Sequence, residues 1–292
     1  MRRFSEVGIR PKTKHGQNFL IDGNLLRVLV EAAQLSDRDV ILEVGSGTGA
    51  LTAMFAAEAR AVVSVEIDPQ LAQLAREELG NTPNVTLLEF DALKSKHRLQ
   101  PELIETVQAR LAEEEGLQFK LAANLPYNIA TPLISNLLES PIVPVSMTVT
   151  IQKELADRIA ARPGTKDYSA LSIWVQAQAS VHIVRLLPPS VFWPRPKVSS
   201  AIIHIVTDFR RRRRIPDIAY FHGFVRAMFF HRRKFLRSVL ISACKDQLTK
   251  PEVDEILNEQ ELDPMLRAEQ LDVRQFLSLC EAVRARMPEL PK

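Results

Sequence analysis

The residues whose types and order suit chemistry best are Asn124-Leu125-Pro126-Tyr127, directly after a short apolar run from Lys120 to Ala123. If that run is a strand, its carboxyl end is where open α/β sheets place their ligands. An amine attached to an aromatic ring is a poor nucleophile, because its lone pair is delocalised into the ring. The Asn124 amide oxygen and the Leu125 backbone carbonyl could accept both amine hydrogens. That draws the nitrogen toward tetrahedral character and aims its lone pair at an electrophile. Pro126 stiffens the turn that holds the carbonyl outward. Tyr127 offers a flat face on which an extruded base can stack. No strong general base is required, since the proton leaves only after the nitrogen has become cationic. Taken alone, the four residues read more readily as an ordinary Asn-x-Pro turn with a half-buried tyrosine.

An electrophile is implied by three earlier strand ends. Glu43-Val44-Gly45-Ser46-Gly47-Thr48-Gly49 follows an apolar run and opens a helical one. Glycines belong there because the backbone must turn sharply and approach a ligand without a Cβ in the way. The spacing is Gly-x-Gly-x-Gly rather than the dinucleotide pattern, and no lysine follows to hold a phosphate. Glu66 lies twenty-one residues after Gly45, at the next strand end, where a carboxylate can accept from both ribose hydroxyls of a nucleoside. Asp91 holds the equivalent place after the third strand and suits an adenine amine. A nonphosphorylated nucleoside carrying a reactive methyl, S-adenosyl-L-methionine, satisfies all three positions and the tetrapeptide together. Asp68, before Pro69, reads as a helix N-cap.

The elements that must position these residues alternate. Strands are expected at 40–44, 61–65, 85–88, 120–123 and 145–151, with helices over 50–59 and from Pro69 to Leu79. Runs 181–187 and 201–206 read as closing strands joined by a proline-rich loop, a natural antiparallel pair. This is an α/β pattern, a doubly wound and mostly parallel sheet with one antiparallel strand. The charged, helix-favouring stretch between Asp91 and Phe119 reads as a surface excursion longer than the usual crossover. From Pro216 onward the pattern is wholly helical. The expected domains are therefore a catalytic, cofactor-binding 1–209 and a small all-α, RNA-binding 210–292.

Composition excludes several classes. With 46% hydrophobic and 25% charged residues the chain reads as globular, and no apolar run reaches the ~20 residues of a membrane helix. The basic Met1–Glu6 segment lacks the apolar stretch of a secretory signal. Cys244 and Cys280 lack metal-ligand spacing and read as buried reduced thiols, which fits a cytoplasmic protein without a metal. The net charge of +3 conceals an asymmetry: residues 185–240 hold thirteen Lys or Arg against two acids, so the rest of the chain is net negative by eight. Such a window suits a polyanion.

With those motifs in order, the chain resembles the ribosomal RNA adenine N6,N6-dimethyltransferases over nearly its whole length, most closely the small-subunit (16S) branch. Pro11-Lys12-Thr13-Lys14-His15-Gly16-Gln17-Asn18-Phe19-Leu20 resembles that family's N-terminal motif, which implies cofactor contacts for Asn18 and Leu20. Val191-Phe192-Trp193-Pro194-Arg195-Pro196-Lys197-Val198 resembles its loop beside the target base, implying that Phe192 helps sandwich the base. Phe229 to Arg237 resembles the basic helix that begins its C-terminal domain. The resemblance implies a Rossmann-like class I methyltransferase sheet and cofactor contacts from Asn18, Leu20, Glu43, Gly45, Gly47, Glu66, Asp91 and Asn124. It implies phosphate contacts from Arg195, Lys197, Arg210, Arg211, Arg212, Arg213, Arg214, Arg232, Arg233, Lys234 and Arg237. The implied reaction is dimethylation of two adjacent adenosines in the 3′-terminal hairpin of 16S rRNA, within an immature 30S subunit and by a monomer. His15, Ala130 and Phe235 depart from the pattern, at positions expected to be Leu, Ser and a small polar residue. Alternatives are a large-subunit (23S) methyltransferase of the macrolide-resistance type and a non-catalytic assembly factor. The Tyr168-Ser169-Ala170-Leu171-Ser172 segment and the long helical tail favour the small-subunit branch.

Overall fold

A computed structural model describes residues 16–245 and 247–288, so Pro11 to His15 of the N-terminal motif lie outside the described residues. The chain begins with β1 (Phe19–Leu20), α1 (Gly23–Ala33), β2 (Asp39–Val44), α2 (Ala50–Glu58), β3 (Ala61–Glu66) and α3 (Pro69–Leu79). There follow β4 (Val85–Glu89), the hairpin β5 (Leu93–Ser95) and β6 (Arg98–Leu99), α4 (Pro101–Leu111), β7 (Gln118–Asn124), α5 (Ala130–Glu139) and β8 (Ser146–Gln152). Next come α6 (Lys153–Ala160), α7 (Ala170–Gln176), β9 (Ala179–Leu187), β10 (Phe192–Trp193) and β11 (Ser200–Thr207). The tail holds α8 (Phe209–Arg212), α9 (Ile218–Phe229), α10 (Leu236–Ala243), α11 (Lys250–Glu259) and α12 (Val273–Arg286).

Seven strands form one sheet in the order β4-β3-β2-β7-β8-β11-β9. The pairs β2/β3, β3/β4, β2/β7 and β7/β8 are parallel, and β11 runs antiparallel to β8 from Ser200↔Gln152 to Val206↔Ser146. Every residue of β2 and β3 is buried, as expected of parallel strands covered on both faces. The strand order reverses between β2 and β7, so the crevice beyond their carboxyl ends is the sheet's ligand position. The glycine turn follows β2, and the tetrapeptide closes β7. Asp68 caps α3 as expected, its side chain accepting from the Gln70 amide with Pro69 at the first helical position.

The expected surface excursion between Asp91 and Phe119 is corrected by the structure. Its second half is α4, which packs on β2, β3 and β7 with Leu103 and Val107 fully buried. It is therefore the crossover helix that a parallel β4-to-β7 connection needs. Its many charges lie on the outer face and disguised the two apolar positions that face the sheet.

Two compact units emerge, one of residues up to 156 with 181–207, the other of 157–180 with 208 onward. A single boundary near residue 210 therefore omits the excursion of 157–180 into the second unit. Within that unit Trp174 stacks on His222 at 4.2 Å and tilts against Phe221 at 6.2 Å, so α7 shares the core of the helical tail. Cys244 and Cys280 are free and buried there; burial pushes the Cys244 thiol up to about 11. Among the described residues no helix is long and apolar enough to cross a membrane.

Candidate active site

The crevice at the strand reversal holds a cavity of about 260 Å³ lined by the glycine turn, the ends of β3 and β4, and the turn after β7. Gly45 has φ +89°, and a Cβ there would stand 3.3 Å from the Pro126 ring. The tetrapeptide and the glycine turn therefore pack closely where position 45 has no side chain, and its positive φ favours glycine there. Gly47 has φ +55° with the Phe19 ring 3.3 Å from where a Cβ would be, and its amide donates to Glu66 Oε2 at 3.0 Å.

Glu66 is 4% exposed. Its second oxygen accepts from the Asp68 amide at 3.0 Å, so two backbone amides fix the carboxylate on the cavity wall. Each oxygen keeps a further lone pair, which is what two ribose hydroxyls need. Burial pushes its pKa up, against the lowering effect of those amides. Asp91 also lines the cavity, anchored by the Leu93 amide at 2.9 Å. Val65, Ile67, Leu71, Phe90 and Ala92 supply apolar walls between the two acids. These two acceptors and the apolar walls between them fit a nonphosphorylated adenine nucleoside.

Asn124 reaches the cavity from β7. Its Nδ2 donates to the Asn18 carbonyl at 2.9 Å, which fixes the amide's orientation, and its Oδ1 is buried without a partner. A buried acceptor left open is costly unless a ligand completes it. The Leu125 amide donates to the Thr150 carbonyl at 3.2 Å, which ties the turn to β8. Tyr127 does not line the cavity itself; its hydroxyl is held 2.5 Å from Ser200 Oγ, at the buried first residue of β11.

Three expected site residues do not line this cavity. Glu43 is 1% exposed, with Oε2 accepting from Thr52 and Ser64 at 2.5 and 2.6 Å; it joins β2, α2 and β3 beneath the glycine turn and, with Leu20, lines a second cleft that shares Gly45, Gly47 and Asn124 with the main cavity. Leu20 packs with Leu29, Phe55 and Ile202 in a core cluster. Phe192 is 2% exposed in that same cluster, opposite Leu20 in the β1–β10 ladder, so no face of its ring is free to hold a base. Its neighbour Trp193 is the half-exposed ring, stacked on Phe19 at 6.2 Å and 26° against Leu71 and Leu74. The ladder clasps the N-terminal motif to the proline-rich loop. Sequence reasoning missed Phe19 and Trp193 because each ladder strand has only two residues, too short for any periodicity.

Burial pushes the Glu43 carboxyl up to about 7. The unfolded group ionises near 4.5, so the unfolded chain releases this proton first as pH rises. Stability from Glu43 is complete below about 4.5 and is lost as pH climbs to about 7, by about 3 kcal/mol in order of magnitude. Glu43→Gln keeps an acceptor oxygen and should flatten that part of a stability–pH profile from urea melts. A variant as pH-dependent as the wild type would refute this assignment.

The expected phosphate-gripping residues divide into two groups. Arg211 donates to the Gln176 and Ala179 carbonyls, Arg212 bonds Gln178, Arg232 pairs with Glu269, and Arg237 forms a bidentate pair with Asp254 at 2.5 and 2.8 Å. These four brace the helical unit. Arg195, Lys197, Arg210, Arg213, Arg214, Arg233 and Lys234 are exposed and make no ion pair among the described residues.

A reversed parallel sheet with a glycine turn, a carboxylate at the next strand end and an open amide acceptor at the end of β7 defines a Rossmann-like methyltransferase. The family model for ribosomal RNA adenine dimethylase matches residues 8–282. The chain belongs to that ribosomal RNA adenine dimethylase family. It is 37% identical over 282 residues to "Ribosomal RNA small subunit methyltransferase A" of Geobacillus sp. (strain WCH70), covering 96% of this chain and 94% of that one. It is 39% identical over 278 residues to the protein of the same name in Lactiplantibacillus plantarum, covering 94% and 91%. Among solved structures, a dimethyladenosine transferase from Plasmodium falciparum matches with TM-score 0.75 and 24% identity over 92% of this chain and 98% of that one. The 23S rRNA methyltransferase ErmE matches with TM-score 0.61 and 24% identity over 90% and 98%. These two likenesses establish the fold.

Proposed function

We propose that this chain transfers methyl groups from S-adenosyl-L-methionine to the N6 amines of two adjacent adenosines in the 3′-terminal hairpin loop of 16S rRNA. It acts as a monomer on an immature 30S subunit in the cytoplasm. The observation that carries the reading is the buried, unpartnered Asn124 Oδ1 at the edge of a cavity that Glu66 and Asp91 also line. When bound, the cofactor supplies a sulfonium methyl as the electrophile.

The protein's part is orientation. Asn124 Oδ1 accepts one hydrogen of the adenine amine and the Leu125 carbonyl accepts the other, which localises the nitrogen lone pair. The bond from Asn124 Nδ2 to Asn18 keeps the amide from flipping to present its N–H₂ face. Tyr127 stacks on the extruded base, with Ser200 setting the tilt of its ring. Glu66 and Asp91 hold the ribose and adenine of the cofactor. Arg195, Lys197, Arg210, Arg213, Arg214, Arg233 and Lys234 contact phosphates, which fix register while the pocket selects the base. The name shared by the bacterial relatives favours the small subunit over the large one.

Transfer of labelled methyl from S-adenosyl-L-methionine to undermethylated 30S particles, read by nucleoside mass spectrometry, tests the proposal. Two dimethyladenosines per particle are expected; label confined to 23S rRNA, or none at all, would overturn it. The Ser200 bond gives a second check. Tyr127→Phe and Ser200→Ala should each slow transfer about 2–10-fold, the worth of one hydrogen bond, and the double variant no further. Additive losses would show that the two hydroxyls act separately.

A further inference from the structure

The turn joining α9 to α10 exposes an apolar ring that the methyl-transfer site does not use. Phe229 and Phe230 are consecutive but have opposite fates. Phe229 stacks on Phe276 at 5.8 Å and 21°, whereas Phe230 is 81% exposed. The His231 ring meets Phe230 edge-on at 4.9 Å, which steadies one edge and leaves a face open. The turn itself is fixed, with the Phe230 amide bonded to the Ala227 carbonyl at 3.2 Å and the Lys234 amide to the His231 carbonyl at 2.9 Å. Both flanking helices are anchored by buried side chains, Phe224, Val225 and Met228 on α9 and Leu236, Val239 and Leu240 on α10.

A single exposed apolar residue needs no explanation. Here Phe230 is followed within five residues by a second exposed ring, Phe235, and the exposed Met265 lies nearby. The Leu236 amide bonds the Leu266 carbonyl and the Arg237 amide bonds the Pro264 carbonyl, which brings the Met265 loop to the start of α10. Between the two rings lie three cations of different status. Arg232 is taken up by Glu269 and by the Lys166 carbonyl, while Arg233 and Lys234 are exposed and unpaired among the described residues. A flat apolar face beside two free cations matches a nucleotide, which offers a π face and an anionic phosphate in one unit. Charge complementarity favours RNA over a protein partner, whose apolar contacts would come without phosphates.

We infer that Phe230 is a stacking platform for an unpaired RNA base, with Arg233 and Lys234 on the adjoining phosphates. The inference rests on the proposed RNA substrate and adds a second base-contacting position, remote in sequence from Asn124 and Tyr127. Such a platform is tolerant of base identity and contributes affinity rather than selectivity.

Equilibrium binding of the full chain to undermethylated 30S subunits, over a series of salt concentrations, tests it. Phe230→Ala should bind about 10–100-fold more weakly with an unchanged salt slope, because stacking releases no counterions. Arg233→Ala should instead reduce the slope by about one. Phe230→Leu keeps apolar area without a π face and should bind as weakly as Phe230→Ala. Phe230→Trp should retain affinity, and its added emission should be quenched on binding. Wild-type affinity in Phe230→Ala or Phe230→Leu would overturn the inference. A blue shift without quenching in Phe230→Trp would indicate burial against protein and would also overturn it. Methyl transfer by the wild type to the same subunits is scored separately: its absence refutes the proposed function, whereas wild-type binding by Phe230→Ala refutes only the platform.

Discussion

Asn124→Ala is expected to slow methyl transfer by about 10²–10³-fold, the usual cost of removing one group aimed at a developing charge, while cofactor affinity falls only a few-fold. The split follows from what each atom of the amide touches. Oδ1 is the open acceptor, so its loss affects only the step in which the amine becomes tetrahedral. Nδ2 contacts Asn18 of the cavity lining, so its loss loosens one wall and accounts for the small binding effect. Asn124→Asp sharpens the test. It keeps an oxygen at the Oδ1 position but sets a carboxylate oxygen against the Asn18 carbonyl, so the group must turn away and transfer should again be slow. Single-turnover rates with saturating cofactor, alongside calorimetric affinities, separate the two effects. A rate unchanged in Asn124→Ala would show that the amine is oriented by other groups.

The centre of the sheet was legible because β2, β3 and β8 are buried on both faces and read as unbroken apolar runs bounded by turns; all seven expected strands lie within two residues of the observed ones. Glu66, Asp91, Gly45 and Gly47 were legible for a related reason, since strand ends in this topology converge on one crevice. What escaped depends on pairing between distant segments. The β1–β10 ladder joins residues 19–20 to 192–193, and nothing local in either pair marks a strand. Its register determines that Phe192 faces the core and Trp193 faces Phe19, whereas the motif singled out Phe192 and gave Trp193 no role. The docking of α4 was hidden by charge, though its helical character was not: two buried positions, Leu103 and Val107, suffice to dock three turns on a sheet, yet give too weak a stripe to outweigh the glutamates around them. The basic residues present the same limit from the other side. Sequence counts Arg232 and Arg237 equally with Arg233, and only the positions of Glu269 and Asp254 show which charges are already neutralised.

Glu66→Ala should weaken binding of S-adenosyl-L-homocysteine about 10²–10³-fold, the combined worth of two hydrogen bonds to a charged acceptor. The same carboxylate also holds the Gly47 and Asp68 amides, so a loss of affinity alone would not distinguish a ribose contact from a collapsed turn. A cofactor analogue lacking both ribose hydroxyls makes the distinction. If Glu66 accepts from those hydroxyls, the wild type prefers the intact ribose strongly and Glu66→Ala has no preference. If it only braces the turn, both ligands weaken by the same factor and the preference survives. Acidity supplies an independent check with a determined sign. Burial holds the Glu66 carboxyl above its ordinary value, and protonation removes the negative charge on which both hydrogen bonds depend. Affinity for the intact nucleoside should therefore fall as pH drops through that raised pKa, and the analogue without hydroxyls should show no such fall. Parallel pH profiles for the two ligands would assign Glu66 to the turn and leave the ribose to other residues.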